Sequence, residues 1–207
     1  MPENPILRHL AAGTLLRGYW GDGHERACWL SALAPVTASR RSASACPAEI
    51  MPEWLAHLTM RMDDLGSDGV WHETATRYAG LSARWSVLST ADWNGLDWAA
   101  QRIALEIGGP LEGPLFSLGC EAVVEMLRRA EAGDDVDKKE WARVARAFVL
   151  SSCWGVMNSA KNRTAQTASK AMLMTRRRSL RPMEATDAMT AGILDAIEAA
   201  IVKAEKV

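Results

Sequence analysis

Ile50, Trp54, Leu58 and Met62 recur every four residues behind Pro47, the spacing that lines apolar side chains along one face of an α-helix. Similar amphipathic runs predict helices of about Val70 to Trp85, Ala91 to Ile107 and Leu115 to Ala132. Ser89-Thr90, Gly108-Gly109-Pro110 and Gly113-Pro114 separate them. At the N-terminal end, Asn4 before Pro5 is a helix start, because Asn accepts from orphan amides and Pro at the first position loses no hydrogen bond. A helix of about Pro5 to Arg17 is expected, broken by Gly18, Gly21 and Gly23. Asp22 followed by Glu25 has the form of a capping box and predicts a second helix, about His24 to Leu33.

The stretch Pro35 to Ala45, with Ser39, Arg40, Arg41, Ser42 and Ser44, reads as an exposed loop, and so does Asp63 to Gly69. Asp137 with Glu140 repeats the capping pattern. Helical character runs on from there with interruptions at Gly155 and around Ser179. Pro182 opens a last helix through Ile193, Ile197 and Ile201.

Composition agrees with an all-α chain. Ala and Leu supply 55 of the 207 residues, against 18 for Ile and Val together. Unbranched side chains lose little rotamer freedom in helices, so a sheet is short of material. No repeat of fixed period is present, and the expected architecture is an irregular bundle of about seven or eight helices. A chain of this length buries roughly 70–75% of its unfolded surface, enough for one helical domain over residues 1–207. A sub-division near 133–137 would part an acidic 1–136 from a basic 137–207.

Ile6 and Leu7 are followed at once by Arg8 and His9, so no apolar export signal is read. The nearly apolar Ala147 to Met157 is far shorter than the roughly 20 residues that cross a bilayer. These features predict a cytoplasmic protein that does not enter the membrane. Cys28, Cys46, Cys120 and Cys153 lie far apart without a CxxC pair and read as reduced core thiols. Arg outnumbers Lys by 18 to 6, which fits a GC-rich bacterial genome.

Candidate chemistry is sparse. None of His9, His24, His57 and His72 stands in an HExxH, HxH or Cys-rich setting, so neither a metal nor a cofactor is implied. No GxSxG elbow, phosphate-cradling GxxxxGK[ST] loop or GxGxxG turn occurs. Gly21 to Arg26 gathers polar groups at an expected helix start where amides could hold an anion, which makes the His24 region the one place from which an enzyme site would be built. Asp63, Asp64 and Asp68 lack the alternating ligands of a calcium loop and read as a solvated turn. Most of the nine tryptophans are expected in the core; Trp93 and Trp98, five apart, do not share a helix face.

Charge asymmetry stands above this background. Residues 1–140 hold 13 Lys/Arg against 20 Asp/Glu, a net −7, while 141–207 hold 11 against 5, a net +6. Between Glu140 and Glu184 there are nine basic residues and no acidic one. On a helix over 156–181, Arg163, Lys170, Arg177 and Arg181 share a face spanning roughly 27 Å, with Ala165, Ala168 and Met172 opposite. Lys161, Arg163, Lys170, Arg176, Arg177, Arg178 and Arg181 are therefore the expected contact surface of a non-enzymatic interaction protein. Its partner would be an anionic macromolecule: nucleic acid, a nucleoprotein complex or an acidic protein surface. Two further readings are a protein-binding inhibitor or regulator of the kind phages and other mobile elements encode, working through a Trp-containing face, and an enzyme built around His24. A solvated basic face paired with the acidic N-terminal helices is the structural alternative.

Overall fold

The Asn4 carboxamide begins the first helix as expected, accepting from the Ile6 amide at 2.9 Å while its own NH2 reaches Ala79 O and Ser82 Oγ, both at 2.9 Å. The computed structural model describes residues 4–22, 24–108, 110, 114–137, 139–144 and 182–206. Helix α1 spans Pro5–Ala11, shorter than predicted. Gly13, at φ 67°, ends it, and Leu15 enters the core through a bridge to Ala27. There the Leu16 amide donates to Ala27 O at 2.7 Å, so residues expected to be helical run extended instead.

The second helix also starts late. Asp22 does not open it: its Oδ1 accepts from the amides of His24, Glu25 and Arg26 at 2.7, 2.8 and 3.1 Å, closing a local turn. Gly21, at φ 67°, is required here, since a Cβ would collide with the Arg26 carbonyl. Helix α2 is Trp29–Leu33, capped by a thiol: Cys28 Sγ accepts from the Ser31 amide at 3.4 Å, and Ser31 Oγ accepts from the Cys28 amide at 2.9 Å.

The segment expected as an exposed loop folds into α3, Val36–Arg40, and a 3-10 turn at Ala43–Ala45, with Thr37, Ala38 and Ala43 buried. Pro35 presets a helical φ, and Thr37 Oγ1 donates to Ala34 O at 2.7 Å, so the polar side chain is satisfied without water.

Helix α4 is Glu53–Leu65 rather than starting at Pro47, because Pro52 bars its predecessor Met51 from the helical region. Helix α5 is Asp68–Ser82, and a 3-10 turn at Trp85–Val87 takes up the rest of the predicted element. Helices α6 (Thr90–Gly108), α7 (Pro114–Glu131) and α8 (Pro182–Ala204) fall where the periodicity put them. Residues 139–144 are also helical, with the Trp141 amide donating to Asp137 O at 3.0 Å. Among the described residues no strand forms, and the chain is all-α, an irregular bundle. No described helix is long and apolar enough to cross a membrane.

The core forms where α8 lies against α4, α5 and α6. Ile193 and Ile197 of α8 are buried together with Leu55, Leu58, Trp71 and Ile103. Each such large apolar side chain contributes about 1.5–3 kcal/mol on burial. Gly192 lets α8 and α6 approach, for a Cβ there would stand 3.0 Å from Ile103 Cγ2. A second cluster sits on the other side of α6, where Leu105 packs with Cys120, Val123, Val124 and Leu127. Trp98 and Trp141 stack beside it, centroids 5.8 Å apart and planes 23° from parallel.

Candidate functional site

The basic residues Lys161, Arg163, Lys170, Arg176, Arg177, Arg178 and Arg181 lie outside the described residues, as do Cys153 and Trp154. In the described part, chemistry-bearing side chains gather in three places, none of which a motif signalled.

The first is Asp63, in the last turn of α4. Instead of pointing into a solvated turn it is fully buried. Its Oδ1 accepts from Trp71 Nε1 at 2.8 Å and its Oδ2 from the Trp29 amide at 3.3 Å. Arg17 donates through Nε to the Asp63 carbonyl at 3.0 Å and reaches the Gly66 carbonyl and the Asp68 carboxylate, so one guanidinium covers the carbonyl end of α4. Burial pushes the Asp63 carboxyl up to about 7, outweighing the Trp71 donor that favours the charged form. A carboxyl titrating near neutrality is what a general base needs, but both oxygens are engaged and Trp29, Trp71 and Tyr78 wall it in. Asp63 ties α2, α4 and α5 together and has no room for a substrate.

The second place is a serine, histidine and glutamate group on the surface. Ser44 Oγ lies 2.9 Å from His57 Nε2, and Glu53 Oε1 lies 3.6 Å from the same nitrogen. In a catalytic triad the carboxylate holds the opposite ring nitrogen and so fixes the tautomer that accepts the serine proton. Here both neighbours meet Nε2, and the arrangement is an exposed helix-face contact rather than an activated nucleophile.

The third is a cleft of about 430 Å³ between the turn before α4, the 3-10 turn at Trp85–Val87 and the first turn of α6. Trp85 and Trp93 form its aromatic side, their centroids 5.8 Å apart and their planes at 70°. Among the described residues, Glu49 is the one charged residue in its wall.

The His24 region gathers no further group. The three amides that could have held an anion are taken by the Asp22 carboxylate, which their hydrogen bonds hold below the usual range, the His24 amide most of all. Among the described residues no group of three His, Cys, Asp or Glu side chains is placed to hold a metal ion.

The eight described tryptophans follow the core expectation: Trp29, Trp71 and Trp85 are buried, and the other five are half-buried. Trp93 and Trp98 do diverge. Trp93 packs on the main core, with Trp54 and Trp85 as ring neighbours, and Trp98 joins the second cluster; neither is fully exposed. Cys28 and Cys120 are buried, and Cys46 is half-buried.

Asp97, on α6, has a buried Oδ1 with no hydrogen-bond partner among the described residues, and desolvation raises its carboxyl to about 7. One turn on, the Gln101 Nε2 is likewise buried and unpartnered. Neither the periodicity nor any motif marked Asp63, Asp97 or the cleft; the excess of tryptophan was the only signal bearing on the cleft. No family model matches the chain, and no curated protein or solved structure shows significant similarity to it.

Proposed function

We propose that this chain is a non-enzymatic helical interaction protein of the cytoplasm, and that the segment Lys161 to Arg181 contacts a polyanion, nucleic acid or a nucleoprotein complex. The observation that carries the reading is the run of nine basic residues without an acid between Glu140 and Glu184. Phosphates are the partner such a field attracts most strongly, because each neutralised contact releases condensed counterions.

The ion pairs of the bundle support an external partner. Arg77 meets Asp195 and Glu198 at 2.6 Å each, and Arg84 meets Glu205 at 2.7 Å. Arg102 and Arg128 share Glu106 while Arg102 also holds Glu131, and Arg129 reaches Glu140 at 3.1 Å. Four carboxylates of residues 1–140, Asp68, Glu106, Glu131 and Glu140, thus already have arginines from the same part of the chain.

The test is fluorescence anisotropy of a labelled DNA duplex with the wild type and with Arg176, Arg177 and Arg178 all replaced by Ala. With three or four phosphates neutralised, affinity falls roughly 50- to 150-fold between 50 and 200 mM salt. The triple variant binds more weakly and keeps its thermal midpoint, since exposed charges contribute about 0–1 kcal/mol each to stability. Wild-type protein that fails to bind at 50 mM salt overturns the proposal and returns the basic segment to pairing with the protein's own acids or with an acidic protein.

A further inference from the structure

We propose that the cleft beside Trp85 and Trp93 is a binding site for a small organic cation of the alkylated-ammonium class. The site is independent of the basic segment and opposite to it in charge preference.

Four observations make the case. The cleft, at about 430 Å³, has room for a small ligand. Its two indoles meet at 70°, forming a corner, and each is braced from outside the cleft wall. Trp93 has Trp54 at 6.3 Å and 67°, and Trp85 has Tyr78 at 5.7 Å and 84°. Among the described residues, Glu49 supplies a negative charge that makes no hydrogen bond or ion pair, and no cationic residue lines the wall. The Ser86 hydroxyl, also in the wall, has no partner among the described residues either, while Ile50 and Leu88 provide apolar surface.

Indole faces carry negative quadrupole potential and attract cations, most strongly when the cation sheds water cheaply. A methylated ammonium is round, apolar on its surface and weakly hydrated. It fits a corner of two rings, whereas a flat sugar or heterocycle stacks on a single face. The Glu49 carboxylate adds charge attraction to the same ligand and repels anions.

The experiment is isothermal titration calorimetry of the full chain with choline and with 3,3-dimethylbutan-1-ol, which has the same shape with carbon in place of the charged nitrogen. Choline binds about tenfold or more tightly than the neutral alcohol. Glu49→Gln weakens choline about three- to tenfold, leaves the alcohol unchanged and preserves the fold, because Glu49 makes no hydrogen bond or ion pair among the described residues. Trp93→Leu, with its thermal midpoint measured alongside, removes one wall and lowers choline affinity further. Equal affinity for choline and the alcohol overturns the proposal, and so does no choline binding up to roughly 20 mM. Choline binding that Glu49→Gln leaves unchanged places the cation elsewhere and overturns it too. None of these outcomes alters the DNA anisotropy result, so the two readings fail separately.

Discussion

Trp71 Nε1 donates to Asp63 Oδ1 at 2.8 Å across the turn between α4 and α5, in a site where the carboxylate is fully buried. That bond is what allows an acid to sit among Trp29, Tyr78 and the apolar faces of three helices. Trp71→Phe keeps most of the ring packing and removes the donor. It should cost about 1–3 kcal/mol, the desolvation penalty of a buried acceptor left short of a partner. Chemical denaturation of the two proteins at neutral pH measures it, and a variant as stable as wild type would show that the bond contributes nothing.

The same carboxyl sets a pH dependence. Its folded-state value is raised from 3.8 to about 7, so between those values the folded protein holds a proton that the unfolded chain has released. Stability therefore falls as pH rises from about 4 through 7, by up to about 4 kcal/mol at 1.36 kcal/mol per unit. Asp97, raised to about 7 by desolvation, acts in the same direction. Thermal midpoints are thus expected to decline from pH 5 to pH 8. Asp63→Asn, which keeps an acceptor for Trp71 without the charge, should flatten much of that slope. A midpoint that climbs over this range contradicts the assignment.

Two glycines should respond in opposite directions. Gly80 stands exposed within α5 with open space where a Cβ would go, so Gly80→Ala gains about 0.5–1 kcal/mol from reduced unfolded-state freedom. Gly192 faces Ile103 across the α6 and α8 crossing, and Gly192→Val overpacks it at a cost of about 1–3 kcal/mol. In a chain of this size those changes move the thermal midpoint by about 2–4 °C per kcal/mol, upward for the first and downward for the second.

Reducing agent should leave the thermal midpoint where it is. Cys28 is a helix cap within the main core, and Cys120 is buried in the second cluster. A large loss of stability in dithiothreitol would reveal a disulfide and overturn this expectation.

What the sequence determined by itself was the all-α class and the long helices. Apolar spacing at 3.6 residues is a local property, and it placed α6, α7 and α8; Ile193, Ile197 and Ile201, picked out on α8, are all buried. The Asn4 cap and the Pro182 start were legible for the same reason, each being set by one residue's own backbone chemistry. Short elements were not legible. Asp22 and Glu25 match a capping box, but Gly21 bends the chain so that Asp22 closes a turn, and the cap passes to Cys28 once Ala27 is pinned to Leu15. The Ser-rich stretch Pro35 to Ala45 that holds α3 looked solvated because its burial comes from packing rather than from its own composition. The same holds for the site chemistry. Asp63 becomes a buried, near-neutral acid only because Trp71 and the Trp29 amide converge on it, and the cleft exists only because the turn at Trp85 brings that ring to Trp93 in a wall that also holds Glu49. Contacts between residues far apart in the chain leave no period to read, so tertiary structure alone decided them.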